Sequence, residues 1–334
     1  MLFSLKEVVS DRFNVSDLDE AVLCRVEKDA QAIIYFFFAG GARTPFFVAK
    51  LASDSVHNAA LKSEYESLVK VAGILLASMA GAVPRADGEG ELLGHYYFLQ
   101  EFISGDVIDE VLDAGGGRRR HLESRLSLAW KWLMDFQRAT QCGVGRISEF
   151  GFGSFIERYR RAYRLTEREI VRLAELEEAL SAMRDRTVEN VACHGDLFPG
   201  NVIIREGKAV VIDWRFLRSA YHPVFDVATF VSTFRSKRDA SIGEKDVEKH
   251  FDELLFGEHW AGRRFAGFVS SGFARGAAMP RDMFLLLFEL ALLEWTTREY
   301  AAGGRVTEKD AVWRRRFVHF IAHRNRFVLA RAFE

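Results

Sequence analysis

Between His194 and Trp214 the chain reads HGDLFPGNVIIREGKAVVIDW, and three oxygen-bearing side chains, Asp196, Asn201 and Asp213, frame its short apolar stretch. NVIIR and AVVID are rich in β-branched residues and flank EGK, so the segment reads as a β-hairpin with a three-residue loop around Gly207. Counting back from Arg205 opposite Ala209 pairs Asn201 with Asp213. Directly opposed residues hold their Cβ atoms about 4.5–5.5 Å apart, near enough for an amide oxygen and a carboxylate to ligate one hard cation such as Mg2+. Asp196 falls in the loop entering the hairpin, where Pro199 and Gly200 prevent a continuous helix. A carboxylate beside a metal held by Asn and Asp is the equipment of phosphoryl transfer. The metal neutralises phosphate oxygens, and the remaining carboxylate orients a hydroxyl and accepts its proton.

The run H-G-D-L-F-P-G-N followed by I-D-W resembles the catalytic and metal motifs of the aminoglycoside phosphotransferase and choline kinase-like family, relatives of the protein kinases. The resemblance implies that Asp196 is the catalytic base, that Asn201 and Asp213 bind Mg2+, and that His194 completes the catalytic loop by bracing it. HPVFDVATF resembles the family's D-L-A segment, which implies that Asp226 supports the loop from a helix. H-x-D-x-x-x-x-N alone is weak; its spacing to I-D-W and D-V-A makes it specific. The implied reaction moves a phosphoryl group from ATP or GTP to the hydroxyl of a small molecule.

The elements that must position these residues begin with strands. AVLCRVEK, AIIYFFF, PFFVAK and YYFLQEF alternate or cluster β-formers and read as an antiparallel sheet. Lys50 closes the third of them, on the face of Phe46 and Val48, apolar side chains able to cover a flat ring. The resemblance implies that Lys50 holds the nucleotide phosphates. ALKSEYESLVKVAG reads as a helix ended by Gly73, its apolar face made by Leu61, Tyr65, Leu68, Val69 and Ala72. On that wheel Glu64 lies nearer the face than Glu66, at about 85° against about 115°. Glu64 also matches the family's E-x-x-x-L and is the expected partner of Lys50. HYYFLQEFISGD reads as a strand leading into a hinge, with backbone groups around Gln100 to Phe102 expected to meet an adenine edge and Gly105 to turn the chain.

Beyond the hinge the pattern is helical in HLESRLSLAWKWLMDFQRAT, MFLLLFELALLEWTTREY and AVWRRRFVHFIAHRNRFVLARAF. The fold class is therefore α+β, and the resemblance makes it a protein kinase-like bilobal fold. Residues 1–101 are expected to form a nucleotide-covering lobe of antiparallel sheet plus helix, and 102–334 a larger, mainly helical lobe carrying the catalytic loop and acceptor cleft. AGGGRRRH reads as a solvated loop. Two departures from the family stand out. The turn that would cover the phosphates, EKDAQ, has no glycine, and the pair Gly40-Gly41 falls one turn later as a structural hairpin; Phe136-Gln137 stands where relatives commonly carry Leu-His.

Composition narrows the function classes. The chain has 334 residues, 49% of them hydrophobic, enough for one large or two moderate cores. Its formal net charge of −1 supplies no global field to recruit nucleic acid. Cys24, Cys142 and Cys193 form no C-x-x-C pair and no even framework, Cys193 reading as a small buried thiol. The first residues lack a signal-peptide pattern and no apolar run approaches the roughly 20 residues of a membrane span, so a cytoplasmic protein with no transmembrane segment is expected. The oligomeric state is not legible. From Trp313 onward six arginines face one glutamate, an amphipathic basic helix that disfavours a polycationic acceptor such as an aminoglycoside. The alternative to a small-molecule kinase is a nucleotide-binding pseudokinase serving as an interaction module. A hydrolase metal site of His194, Asp196 and Asp213 is weaker, because only His222 stands near as a further histidine.

Overall fold

A run of β-branched and aromatic residues from Ala32 to Ala39 has no helical periodicity and lies in a strand, β2, flanked by β1 (Leu18–Leu23) and β3 (Phe47–Ala52). The computed structural model describes residues 5–15, 17–23, 32–75, 79–108, 117–234, 251–257, 259–274 and 279–333. With β4 (Ala86–Leu92) and β5 (His95–Glu101), these strands form a five-stranded antiparallel sheet in the order β1-β2-β3-β5-β4. β2, β3 and β5 lie where the sequence places them, while β1 begins at Leu18, three residues before the expected AVLCRVEK, whose residues 24–28 lie outside the described residues. β4 was not expected, because ADGEGEL carries little β propensity; its partner β5 and the tight return at Leu93-Gly94 hold it. Helix α1 (Leu5–Phe13) packs Leu5 and Val9 into the core of this sheet with Phe37, Phe47, Ala49 and Leu99. The phosphate-covering turn expected at EKDAQ and the residue Cys24 lie outside the described residues.

Helix α2 (Asn58–Ile74) opens after a 3-10 turn whose Asp54 carboxylate accepts from the amides of Val56 and His57. Its buried stripe is Leu61, Glu64, Leu68 and Val71, so the face is rotated from the expected one and Val69 is 46% exposed. Gly73 does not end this helix. It lies within the last turn, and the Leu75 amide closes on Val71.

The chain divides into two compact units, one of Met1–Val107, His194–Asp196 and Gly200–Leu217, the other of Ile108–Cys193, Leu197–Pro199 and Arg218–Glu334. The hairpin after His194 thus groups with the N-terminal sheet rather than with the residues that flank it in sequence. In the first unit β6 (Asp106–Val107) pairs with β10 (Val202–Arg205), which pairs with β11 (Lys208–Val211). Ile103, Ile203 and Val210 form the small core under this ribbon.

The second unit is mostly helical. It contains α3 (Gly117–Thr140), β7 (Val144–Arg146), α4 (Phe152–Ala162), α5 (Glu167–Ala182), β8 (Thr187–Glu189), β9 (Val191–Cys193), β12 (Arg218–Tyr221), α6 (Val224–Thr233), α7 (Trp260–Val269), α8 (Arg281–Trp295), α9 (Arg298–Gly303) and α10 (Glu308–His323). Two boundaries depart from the sequence reading. Gly117 to His121, expected in a solvated loop, start α3, and MFLLLFELALLEWTTREY is broken at Thr296-Thr297 into α8 and α9. α8 is apolar on nearly every side and is the axis of the core, with Phe284 and Phe288 fully buried.

Buried carboxylates fasten the helices around that axis. Glu289 on α8 accepts from Arg172 on α5 at 2.6 Å through both oxygens, and Arg324 lies 3.2 Å away. Glu169 on α5 accepts from Arg314 on α10 and from the Tyr159 hydroxyl, and Glu294 is held by Arg218 and by Tyr221 at 2.7 Å. These pairs correct the reading of the C-terminal arginines. The segment is not one solvated basic helix but α10 followed by two 3-10 turns; Arg314 and Arg324 serve buried glutamates, and Arg316 is buried over the Trp313 ring at 4.6 Å.

Candidate functional site

The hairpin that carries the site is tighter than its sequence suggests. Arg205 pairs with Lys208, so the loop is the two residues Glu206 and Gly207, both with positive φ (51° and 73°), the conformation of a type I′ turn whose twist matches that of the strands. Ile203 therefore faces Val210 and Val202 faces Val211, one residue out of the expected register. Asn201 does not oppose Asp213; its carbonyl accepts from the Ile212 amide at 3.0 Å. A one-residue slip would turn Asp213 to the other face of a regular strand. The backbone resolves this by leaving the strand: Asp213 has φ 68°, a left-handed conformation that Asp tolerates better than most residues.

In that conformation the Asp213 carboxylate accepts from the Lys50 ammonium at 2.8 Å. Lys50 also donates to Glu64 and lies 5.8 Å from the centroid of the Phe98 ring. It sits inside β3 rather than at its end, opposite Ile34 and Phe98. One ammonium thus serves two carboxylates of unequal exposure, 7% for Glu64 and 44% for Asp213. Burial pushes the Glu64 carboxyl up to about 7 against the pull of Lys50. The charge of Lys50 holds Asp213 well below the usual carboxylate range. Burial disfavours the Lys50 cation, but the charges of Asp213 and Glu64 outweigh it and raise its pKa. Glu66, the other carboxylate considered on this helix, is exposed.

His194 is fully buried and spends both ring nitrogens on the loop: Nε2 lies 2.9 Å from the Ile212 carbonyl and Nδ1 accepts from the Asp196 amide at 3.2 Å. These partners assign the proton to Nε2, which donates to the carbonyl. The ring also packs edge-on to Trp214, 4.6 Å between centroids. Asn201 donates through Nδ2 to the Asp196 carbonyl at 3.0 Å, leaving Oδ1 as the atom able to ligate a cation. Gly195 between His194 and Asp196 has φ 80°, and a Cβ there would overlap the Phe216 carbonyl oxygen, so this position excludes every other residue. Asp196 itself is partly exposed. Hydrogen bonds through Ile212 thus join His194, Asp196 and Asn201 to the residue preceding Asp213.

At the expected hinge, Gln100 is buried in β5 and Phe102 packs edge-on to Phe36. The amides of Glu101 and Phe102 are taken by the carbonyls of Arg85 at 2.9 Å and Phe46 at 3.3 Å, so an adenine edge would meet carbonyl oxygens there or the amides that follow.

In the second unit Asp226 is fully buried in the first turn of α6, a helix held at its start by Gln137, whose Nε2 donates to the Pro223 carbonyl at 2.7 Å. The Phe136-Gln137 departure is therefore a packing ring and a strut. Cys193 is buried, and burial raises its thiol pKa well above normal. His222 lies fully buried against Phe150, Phe152 and Phe225 with neither ring nitrogen hydrogen-bonded, and burial, then the charge of Arg218, keep it neutral. That environment is unsuited to a metal ligand.

The model of the phosphotransferase enzyme family matches residues 30–265. The chain belongs to that family. It is a small-molecule phosphotransferase with the protein kinase-like, bilobal α+β fold. Among solved structures, aminoglycoside phosphotransferase APH(4)-Ia is similar with a TM-score of 0.59 at 14% identity, over 96% of this chain and 98% of that one. A choline/ethanolamine kinase family protein from Mesorhizobium loti gives 0.53 at 16% identity over 94% and 92%. Aminoglycoside phosphotransferase APH(2'')-Ib gives 0.55 at 13% identity over 98% and 97%. No curated protein matches the chain in sequence. Among the described residues no helix is long and apolar enough to cross a membrane.

Proposed function

We propose that this phosphotransferase moves the γ-phosphoryl group of ATP to a hydroxyl of a small molecule, with Asp196 as base and Asn201 and Asp213 as the ligands of Mg2+. The observation that carries the reading is Lys50 bonded at once to Glu64 and Asp213. Glu64, buried on α2, holds the ammonium in place; Asp213, the more exposed partner, is the one able to exchange it for another cation. The residues fit magnesium: Asn201 Oδ1 and an ionised Asp213 carboxylate are hard oxygen donors, and Lys50 already shows that Asp213 accepts a cation. The chemistry that Mg2+ supplies when bound there is neutralisation of phosphate charge.

The chain's own residues do the rest. Lys50 offers a point charge to phosphate oxygens. The Asp196 carboxylate orients the acceptor hydroxyl and takes its proton, in a loop whose shape His194 and Gly195 fix. Residues 1–101 cover the nucleotide, and carbonyls near Gln100 and Phe102 read its base. The relatives support the donor: APH(4)-Ia has been crystallised with ADP and hygromycin B and with AMP-PNP and hygromycin B, and APH(2'')-Ib with ADP. A nucleotide triphosphate donor points to the cytoplasm as the place of action. With Arg314, Arg316 and Arg324 committed within the second unit, the basic C-terminus no longer argues against a cationic acceptor, and the proposal is a hydroxylated small molecule of either charge.

ADP release measured against a panel of sugars, amino alcohols and aminoglycosides tests this. At least one acceptor is expected to reach a kcat/KM of about 10⁴ M⁻¹s⁻¹ or more. Binding of magnesium and nucleotide with no acceptor-stimulated ADP release across the panel would replace this reading by the pseudokinase one.

A further inference from the structure

We propose that the second unit contains a binding site for a first-row divalent metal of the zinc type, built from Asp252, His319 and His323. Two histidines four residues apart on α10 lie one turn above the other on the same face of the helix. Their rings lie 4.6 Å apart between centroids, tilted at 47° to one another. Asp252, from the helical residues 251–255, meets them from a separate element, its Oδ1 lying 3.2 Å from His319 Nε2. One donor atom from each of the three residues lies within 4.8 Å of the other two.

The spacing suits the chemistry. Ligands about 2.0–2.1 Å from a tetrahedral zinc are separated by about 3.3 Å, and the His319–Asp252 pair already has that separation. The donor atom of His323 lies within 4.8 Å of the other two, so metal binding draws it closer. The imidazoles are braced rather than loose: Phe256 lies 5.7 Å from the His319 ring and 5.8 Å from that of His323, and Phe251 lies 6.1 Å from His319. All three side chains are partly exposed, so a hydrated ion has access. Two imidazoles and one carboxylate favour zinc, nickel, cobalt or copper over magnesium and calcium, which prefer sites made of oxygen. Of the arginines in and just after this helix, Arg314 is held by Glu169, Arg316 lies over Trp313 and Arg324 beside Glu289. Bound metal would join residues 251–255 to α10 and leave a fourth position to water. The site shares no residue with the catalytic hairpin and stands apart from the phosphoryl-transfer reading.

Calorimetric titration of the untagged, chelator-treated full chain with zinc chloride and with magnesium chloride tests the proposal. One zinc per chain is expected that magnesium added in excess does not displace. His319→Gln and His323→Gln are each expected to weaken zinc by at least about tenfold, since even the loss of a partner behind a ligand costs 10–100-fold. Circular dichroism reports whether the variants fold. A cobalt titration of the wild-type chain gives a second readout that needs no variant: an intense visible spectrum of a four-coordinate site, abolished by zinc, is expected. A cobalt spectrum like that of the aqueous ion, or equal zinc affinity in wild type and a folded His319→Gln/His323→Gln chain, would overturn the assignment.

Discussion

Lys50 and Asp213 are 163 positions apart in the chain, yet a hydrogen bond of 2.8 Å joins them, and the same ammonium reaches Glu64 on α2. Removing the cation leaves two carboxylates facing one another, one of them buried. Truncating one partner of a buried pair costs about 3–5 kcal/mol, mostly because the other charge stays behind. Lys50→Met is therefore expected to be strongly destabilised in urea, and Lys50→Met/Glu64→Gln to recover part of the loss. Strictly additive costs in this double-mutant cycle would mean that the contact contributes nothing.

The same pair sets a pH dependence whose sign follows from burial. Glu64 binds its proton at about 7 in the folded chain and at 4.5 when free, so between these values the folded state holds more protons at this group. Its contribution to stability is full below 4.5 and is lost as pH rises through 7. Glu64→Gln removes this dependence. Relative to wild type, the variant should gain about 1–3 kcal/mol between pH 5 and pH 8, read by denaturant unfolding at the two values. A difference that stays constant with pH contradicts the burial argument.

Gly195 links backbone shape to catalysis. Its positive φ and the Phe216 carbonyl against it leave no room for a methyl group, so Gly195→Ala must distort the segment between His194 and Asp196. A loss on the order of 2–4 kcal/mol is expected, with turnover falling further than the folded fraction does. Thermal unfolding and activity measured on the same preparation check it. Wild-type stability in Gly195→Ala would show that the carbonyl moves aside at little cost.

Much of this arrangement was legible in the chain. Runs of β-branched and aromatic residues gave the strands around Lys50, and the wheel ranked Glu64 above Glu66, although the buried face of α2 is rotated from the expected one so that it includes Glu64. The hairpin register was legible in kind but not in number. EGK reads as a three-residue loop unless Glu206 accepts a positive φ, and only the pairing of Arg205 with Lys208 shows that it does. The left-handed backbone of Asp213 could not be foreseen from side-chain alternation, which describes regular strands alone. The buried partners of Arg314 and Arg324 were equally hidden, since Glu169 and Glu289 lie far away in sequence and charge patterning along one helix is silent about its neighbours. A signal did exist for Glu289, which with Glu294 is one of two carboxylates inside the apolar run MFLLLFELALLEW, where a charge survives burial only if paired.

The central claim is a division of labour between two carboxylates of one hydrogen-bonded loop, Asp196 for the acceptor proton and Asp213 for the metal. Magnesium-dependent nucleotide binding and turnover, measured side by side in Asp196→Asn and Asp213→Asn, test it most directly, Asn being suited to the left-handed backbone at 213. Asp196→Asn is predicted to bind nucleotide as the wild type does while kcat falls by about 10²–10⁴, and Asp213→Asn to lose the magnesium dependence of binding. Undiminished turnover in Asp196→Asn, or unchanged magnesium dependence in a folded Asp213→Asn chain, would contradict it.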